Sequence, residues 1–261
     1  MNDLEYHAHP AMSQSKMKVL LECPRQFYIE YILGKKIDTP TPSKALGNCL
    51  DLALTEPDKY NQLIVKHTKT TSVEGYITEN WKSQINEWIC NLYRYKFDDN
   101  FFSGATFKDI INTCTTQDKI FYKYKNIDWR LKTDFLNVEN GFFIDLKSTK
   151  CKTYDEFIKD FINYKYYLQA SSYAVGIKEK YNLDYLPKAY YIAVSTITGE
   201  IFALKCSDKM ISLAMIELER GCKIYKQNLQ TNEWAKNMSV SELDMPLWLE
   251  TKIINNLGEY R

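Results

Sequence analysis

The sequence predicts an α/β protein in which a central mixed β-sheet, containing an antiparallel hairpin, is flanked by helices and preceded by a helical segment. Three observations carry this reading. Apolar residues recur at helical spacing through roughly the first 115 positions, and the pattern changes at Lys119 to runs rich in β-branched and aromatic residues. Asn140-Gly141 then separates two such runs, a strong short-range hairpin signal. The order from the first helices on is helices, three strands, helix, two strands, helix, which is an α/β arrangement with a mixed sheet rather than a strictly alternating doubly wound one.

Taken in order, Ser13 or Ser15 caps a short helix over Met17, Leu20 and Leu21, and Pro24 stands where a first helical position tolerates it, ahead of RQFYIEYIL. A helix–turn–helix pair therefore opens the chain, with His7 and His9 in a mobile terminus. SKALGNCLDLAL places Leu46, Leu50 and Leu54 on one helical face and Gly47 with Asp51 on another, and Pro57 ends it. Trp81, Ile85, Trp88, Ile89 and Leu92 mark a longer amphipathic helix. KIFYKYKNIDWRLKTDFLNVENGFFIDLKST reads as three antiparallel strands, and DEFIKDFINYKYYLQASSYAVGIKEKY as one long helix. AYYIAVS and EIFALKC are strands joined at Thr198-Gly199, and SDKMISLAMIELERGCKIYKQNL closes the fold as a helix.

No Gly-, Ser- or Pro-rich stretch is long enough for a linker, so one domain is expected over 1–261, with 1–115 mainly helical, 116–228 the sheet-containing core and 229–261 an extension. Thirty-four Lys and Arg against 33 Asp and Glu leave a formal charge of +1, which excludes a histone-like basic coat and an acidic disordered tail. No apolar run reaches the ~20 residues of a membrane span, and no export signal opens the chain, so a cytoplasmic protein is expected. Seven scattered cysteines without a CxxC pair fit reduced, mostly buried thiols.

Chemistry concentrates around the hairpin. Asp145 and Lys147 alternate onto one face of a strand, and the Asn-Gly turn folds the segment bearing Asp134 against them. Two carboxylates at one point repel unless a hard divalent cation neutralises them, and Mg²⁺ or Mn²⁺ prefers such oxygen donors. A lysine beside that metal can orient a water, which assembles the parts needed to hydrolyse a phosphodiester. An isolated Asp-x-Lys is more often a solvated pair on a sheet edge, so the surrounding segments decide the matter. Lys119–Lys152 holds eight basic residues against four acidic ones, and Lys16, Lys18, Arg25, Lys35, Lys36 and Lys44 form a second basic cluster, consistent with an anionic partner.

Five segments from Ser13 to Tyr173 resemble, in order, the PD-(D/E)XK nuclease superfamily and its RecE/RecB-like exonuclease branch, of the exodeoxyribonuclease VIII type. They are MSQSKMKVLLECPRQFYIEYILGKK, LGNCLDLALTEP, RLKTDFL, FIDLKST and Gln169-Ala-Ser-Ser-Tyr173. The resemblance implies that Asp134 and Asp145 ligate Mg²⁺ or Mn²⁺, that the Leu146 carbonyl adds a ligand, and that Lys147 assists the attacking water. It implies that Gln169 and Tyr173 hold the DNA backbone or the lysine. Ser15 is a further candidate DNA contact, and Arg25, just after Pro24 at a helix start, is expected to help hold a DNA phosphate or terminal phosphate, because a helix N-terminus and a guanidinium both favour an anion, unless it is a plain surface arginine. It further implies linear DNA with free ends as substrate, a ring-like trimer or tetramer, a single-strand annealing protein as partner, and work in recombination or repair of phage or bacterial DNA.

Two departures stand out. Asp51 occupies the place of the usual histidine, still able to ligate a hard cation, and Gln117-Asp118 stands where relatives carry a glutamate. Cys23 matches an iron–sulfur ligand of some relatives, but Cys151, Cys206 and Cys222 are scattered, so no cluster is expected. His7, His9 and His67 lack metal-ligand partners at useful spacing. The alternatives are an endonuclease of the same fold and a catalytically silent DNA-binding or assembly module.

Overall fold

The structure is a computed structural model describing residues 2–37, 41–66, 76–235 and 245–258. His67 and parts of the C-terminal extension lie outside the described residues. Helix α1 (Asp3–Ala8) carries an Asn2/Glu5 capping box, and α2 (Gln14–Glu22) is capped by Ser13, whose hydroxyl accepts from the Lys16 N–H. Pro24 starts the short α3 (Pro24–Phe27), which runs into a π-helical turn over Tyr28–Ile32. Thr41 caps α4 (Pro42–Thr55), α5 (Pro57–Asn61) follows, and a small parallel pair, β1 (Ile64–Lys66) with β2 (Tyr76–Thr78), leads into α6 (Glu79–Arg94) and α7 (Phe107–Ile111).

The central sheet has five strands in the order β3 (Thr115–Thr116), β6 (Phe135–Asn137), β7 (Phe142–Thr149), β8 (Lys188–Ser195) and β9 (Ile201–Lys205). β7 and β8 are parallel and the other pairs antiparallel, so the sheet is mixed, as expected. A crossover through α8 (Tyr154–Asn163) and α9 (Tyr166–Tyr181) connects the parallel pair, and α10 (Asp208–Thr231) and α11 (Leu247–Gly258) end the chain. Among the described residues no helix is long and apolar enough to cross a membrane.

Strand alternation divides the interior into two cores. Phe143 and Tyr191 face one side with α2, α9 and α10, while Phe142, Ile144, Leu146, Tyr190 and Ile192 face the other with α4, α6 and α7. Helices covering both faces explain why the central strands read as near-continuous apolar runs. Phe143, Ile144, Tyr191 and Ile192 are fully buried, each contributing roughly 1.5–3 kcal/mol of apolar burial.

Three local expectations are corrected. The predicted three strands are four, because Lys125 and Asn126, with φ of 50° and 56°, make a two-residue turn between β4 (Lys119–Tyr124) and β5 (Ile127–Lys132). Both φ values are positive, as a type I′ hairpin turn requires, and no glycine announces it. This β4–β5 hairpin is a separate sheet lying on α9, where a Cβ on Gly176 would come within 2.4 Å of Leu131 and 2.5 Å of Tyr122. The predicted long helix is broken between α8 and α9, where Lys165 adopts φ of 54°. The N-terminus is not loose: Met12 and Trp129 form a parallel bridge, the His9 ring accepts the Ala11 N–H, and the His7 carbonyl accepts from Arg130. The β6–β7 hairpin forms as expected, its turn closed by Gly141 at φ of 68°.

Four cysteines are buried (Cys49, Cys151, Cys206 and Cys222), whereas Cys23 and Cys90 are exposed. Cys23 occupies the junction of α2 and α3, its N–H on the Val19 carbonyl and its carbonyl accepting from Phe27.

Candidate active site

Asp145 and Lys147 project from β7 toward α9, on the face opposite Leu146. Asp134 sits at the bend entering β6; Phe135 pairs with Ile144, so extending that ladder by one position brings Asp134 to Asp145. The Leu146 N–H donates to Asp134 Oδ2 at 2.7 Å. Because the N–H and C=O of one strand residue leave on the same edge, the Leu146 carbonyl faces the Asp134 side as well.

Asp145 is 3% exposed. Its Oδ1 accepts from Gln169 Nε2 of α9, and its Oδ2 contacts the Lys147 ammonium as an ion pair without an aligned hydrogen bond. Lys147 in turn lies 5.0 Å from the Tyr166 ring and 5.9 Å from the Tyr191 ring. Asp51 joins from α4, which can approach β7 closely because a Cβ on Gly47 would stand 2.7 Å from Ser148 Oγ. Gln117, held at φ of 56°, donates to both Asp51 oxygens at 3.4 Å and to Thr55 Oγ1 at 3.0 Å.

The three acids oppose one another. Burial pushes the Asp134 carboxyl well above the ordinary carboxylate range, and the charges of Asp145 and Asp51 add to it. Burial raises Asp51 to about 6, with Lys132 pulling it down and Asp145 pushing it up. Burial also raises Asp145, against the pull of Lys147 and Gln169. For Lys147, burial works against the charge, but Asp145 and Asp134 outweigh it and the net direction is up, so it stays an ammonium.

Crowded, partly buried carboxylates with one ammonium among them are a donor set for a hard divalent cation. Asp134 Oδ1 makes no hydrogen bond among the described residues, and Asp145 Oδ2 accepts none. In the present side-chain arrangement no three His, Cys, Asp or Glu side chains among the described residues are grouped to hold a metal ion. Asp145 is instead turned toward Gln169 and Lys147. The chemistry of the donors fits the expected cation, and a rotation of these carboxylates would be needed to close a shell around it.

The remaining predicted residues fall in different places. Gln169 is buried and bonds Asp145, and Tyr173, also buried, packs 5.8 Å from the Phe143 ring. Their geometry is that of supporting the acid and strand, rather than presenting a surface to DNA. Ser15 is exposed with its hydroxyl 3.0 Å from Ser13, and Arg25 is exposed over the Tyr28 ring at 5.6 Å; the structure brings neither into contact with the acids. Sequence reasoning missed Gln117 as a site residue, noting it only as a departure, and missed Lys132, whose charge acts on Asp51. The signal for Lys132 was its place two residues before Asp134. A cavity of about 520 Å³ opens beside Lys147, lined by Lys44, Thr149, Lys150, Tyr164 and Tyr166 among others.

An acid entering a short strand, an Asp-x-Lys strand paired to it and a following helix that supplies Gln to the acid are the arrangement of a PDDEXK-like domain. A family model described as a PDDEXK-like domain of unknown function, DUF3799, matches residues 13–242, and the chain belongs to this family. Among solved structures, a candidate exonuclease from Eubacterium rectale superposes with a TM-score of 0.59 at 15% identity, covering 92% of this chain and 96% of that one. A phage-related exonuclease from Haemophilus somnus gives a TM-score of 0.38 at 12% identity, covering 88% and 100%. No curated protein matches the sequence.

Proposed function

We propose that the protein is a metal-dependent DNA exonuclease that hydrolyses phosphodiester bonds from DNA ends, in recombination or repair of phage or bacterial DNA. The observation that carries this reading is the convergence of half-buried Asp134 and buried Asp145 with Lys147, joined by Asp51 from another layer. Asp134, Asp145, Asp51 and the Leu146 carbonyl would hold Mg²⁺ or Mn²⁺, which when bound supplies charge that polarises the scissile phosphate and acidifies a water. Lys147, remaining protonated, donates to the water oxygen and holds it for in-line attack, and its charge offsets what grows on the phosphate. Gln169 fixes the Asp145 rotamer through its amide. The cavity beside Lys147, with Lys44 and Lys150, supports entry of a polyanion from that side.

The preference for ends is supported by the fold shared with the Eubacterium rectale protein described as an exonuclease. A ring-like homo-oligomer and a single-strand annealing partner belong to the same reading, and light scattering of the purified chain tests the first. The deciding experiment compares end-labelled linear DNA with covalently closed circular DNA, with Mg²⁺, Mn²⁺ or EDTA. Loss of linear DNA alone, and only with a divalent cation, is expected. Cutting of the circle would make it an endonuclease, and no degradation of either would make it a binding or assembly module.

A further inference from the structure

The outer face of the β4–β5 hairpin holds an arrangement that the acids do not explain. Lys119 and Lys132 are directly opposed across the two strands, and like charges in that position destabilise a sheet. Both reach one carboxylate, Asp3 of α1, with Lys119 Nζ at 2.8 Å and Lys132 Nζ at 3.6 Å from Oδ1. Lys59 of α5 adds a third ammonium at 3.5 Å from Oδ2, while also pairing with Glu56. Three cations from three elements thus surround a single anionic group, the coordination that a phosphate of a nucleic-acid strand would receive. Lys132 ends β5 two residues before Asp134 and, with Lys147, acts on the charge of Asp51, so the cluster adjoins the catalytic acids.

The same helix covers a fourth cation. Arg130 is 7% exposed, its guanidinium stacks 4.7 Å from the Tyr6 ring, and its Nη2 donates to the His7 carbonyl, but Nε and Nη1 have no partner. Buried donors left unpaired are costly, and an anion arriving on this face after α1 lifts could satisfy them. At six residues α1 is too short to persist as a helix by itself. Its seat depends on the Asp3 ion pairs and on the packing of Tyr6 and His9 against Arg130 and Phe121.

We propose that Lys59, Lys119 and Lys132 form a phosphate-binding site for the DNA strand entering the catalytic acids, and that Asp3 occupies it in the free protein as an internal substitute that the strand displaces. The proposal rests on the nuclease reading above and adds a built-in competitor to it. Removing the competitor strengthens DNA binding, whereas removing a lysine weakens it.

The test measures fluorescence anisotropy of labelled single-stranded and duplex oligonucleotides on the full chain in EDTA, where no cleavage intervenes. Asp3→Asn keeps the shape and is expected to tighten Kd roughly three- to tenfold at low salt. It should steepen the log Kd against log salt slope by about 0.7–0.9 for each additional phosphate that the lysines hold. Lys119→Ala/Lys132→Ala is expected to weaken binding about tenfold or more. Backbone hydrogen exchange in α1 is expected to speed up when wild type binds an oligonucleotide. Unchanged or weaker binding by Asp3→Asn, or α1 exchange that DNA leaves unaltered, overturns the proposal even if wild type binds and cleaves DNA. A wild-type chain that neither binds nor cleaves DNA overturns the nuclease reading together with it.

Discussion

Asp51→Asn should make the metal-free protein more stable, and the gain should depend on pH in a way that its half-buried position dictates. In the folded chain Asp51 holds its proton up to about pH 6, from an ordinary 3.8, because burial disfavours its charge and Asp145 adds repulsion that Lys132 only partly offsets. The folded state therefore binds the proton more tightly than the unfolded state, and stability falls as pH rises between those values. Below about pH 4 both states are protonated and the penalty is absent; above about pH 6 it is fully developed. At about 1.4 kcal/mol per tenfold change in proton affinity the ceiling is about 3 kcal/mol, and the group's partial contact with solvent reduces this to roughly 1–2 kcal/mol. For a chain of this size that is roughly 2–8 °C in Tm. Thermal melts of both proteins in EDTA from pH 4 to pH 8 test it, with the Asn variant expected to melt higher only toward neutral pH. A difference that is flat with pH, or a variant melting at or below wild type at pH 7.5, would refute the claim that this carboxylate is destabilised by its surroundings.

Other outcomes follow from the same geometry. Lys147→Ala should bind DNA nearly as wild type yet cleave it on the order of a hundredfold slower in single-turnover assays, because its ammonium sits on Asp145 and acts on the reacting centre rather than on distant phosphates. Gln169→Leu removes the amide that fixes Asp145 and should slow cleavage roughly 10–100-fold while the chain stays folded by circular dichroism. Gly176→Ala places a methyl against Leu131 and Tyr122 and should lower stability by about 1–3 kcal/mol, read as an earlier denaturant midpoint with unchanged slope.

What could be read before the structure was what local pattern encodes. The α4 and α6 stripes, the hairpin closed by Gly141 and the same-face placement of Asp145 and Lys147 all follow from periodicities of a few residues. The Lys125-Asn126 turn and the break at Lys165 escaped because non-glycine residues take up left-handed backbone there, and nothing in the neighbouring sequence announces it. The site shows the same division in its chemistry. Asp134 and Asp145 are neighbours through a hairpin, so spacing exposes them, but Gln117 meets Asp51 from 66 positions away and Lys132, at the end of β5, meets Asp3 of the N-terminal helix. These long-range contacts set the behaviour of the acids. The ladder and the helices decide that Asp51 is half-buried, and that burial, more than any single neighbour, keeps its proton to about pH 6. A motif therefore names the atoms that carry charge, whereas the layers packed around them determine how strongly that charge demands a cation. That demand is greatest at Asp134, where burial is joined by both neighbouring acids and Lys147 offsets only part of it.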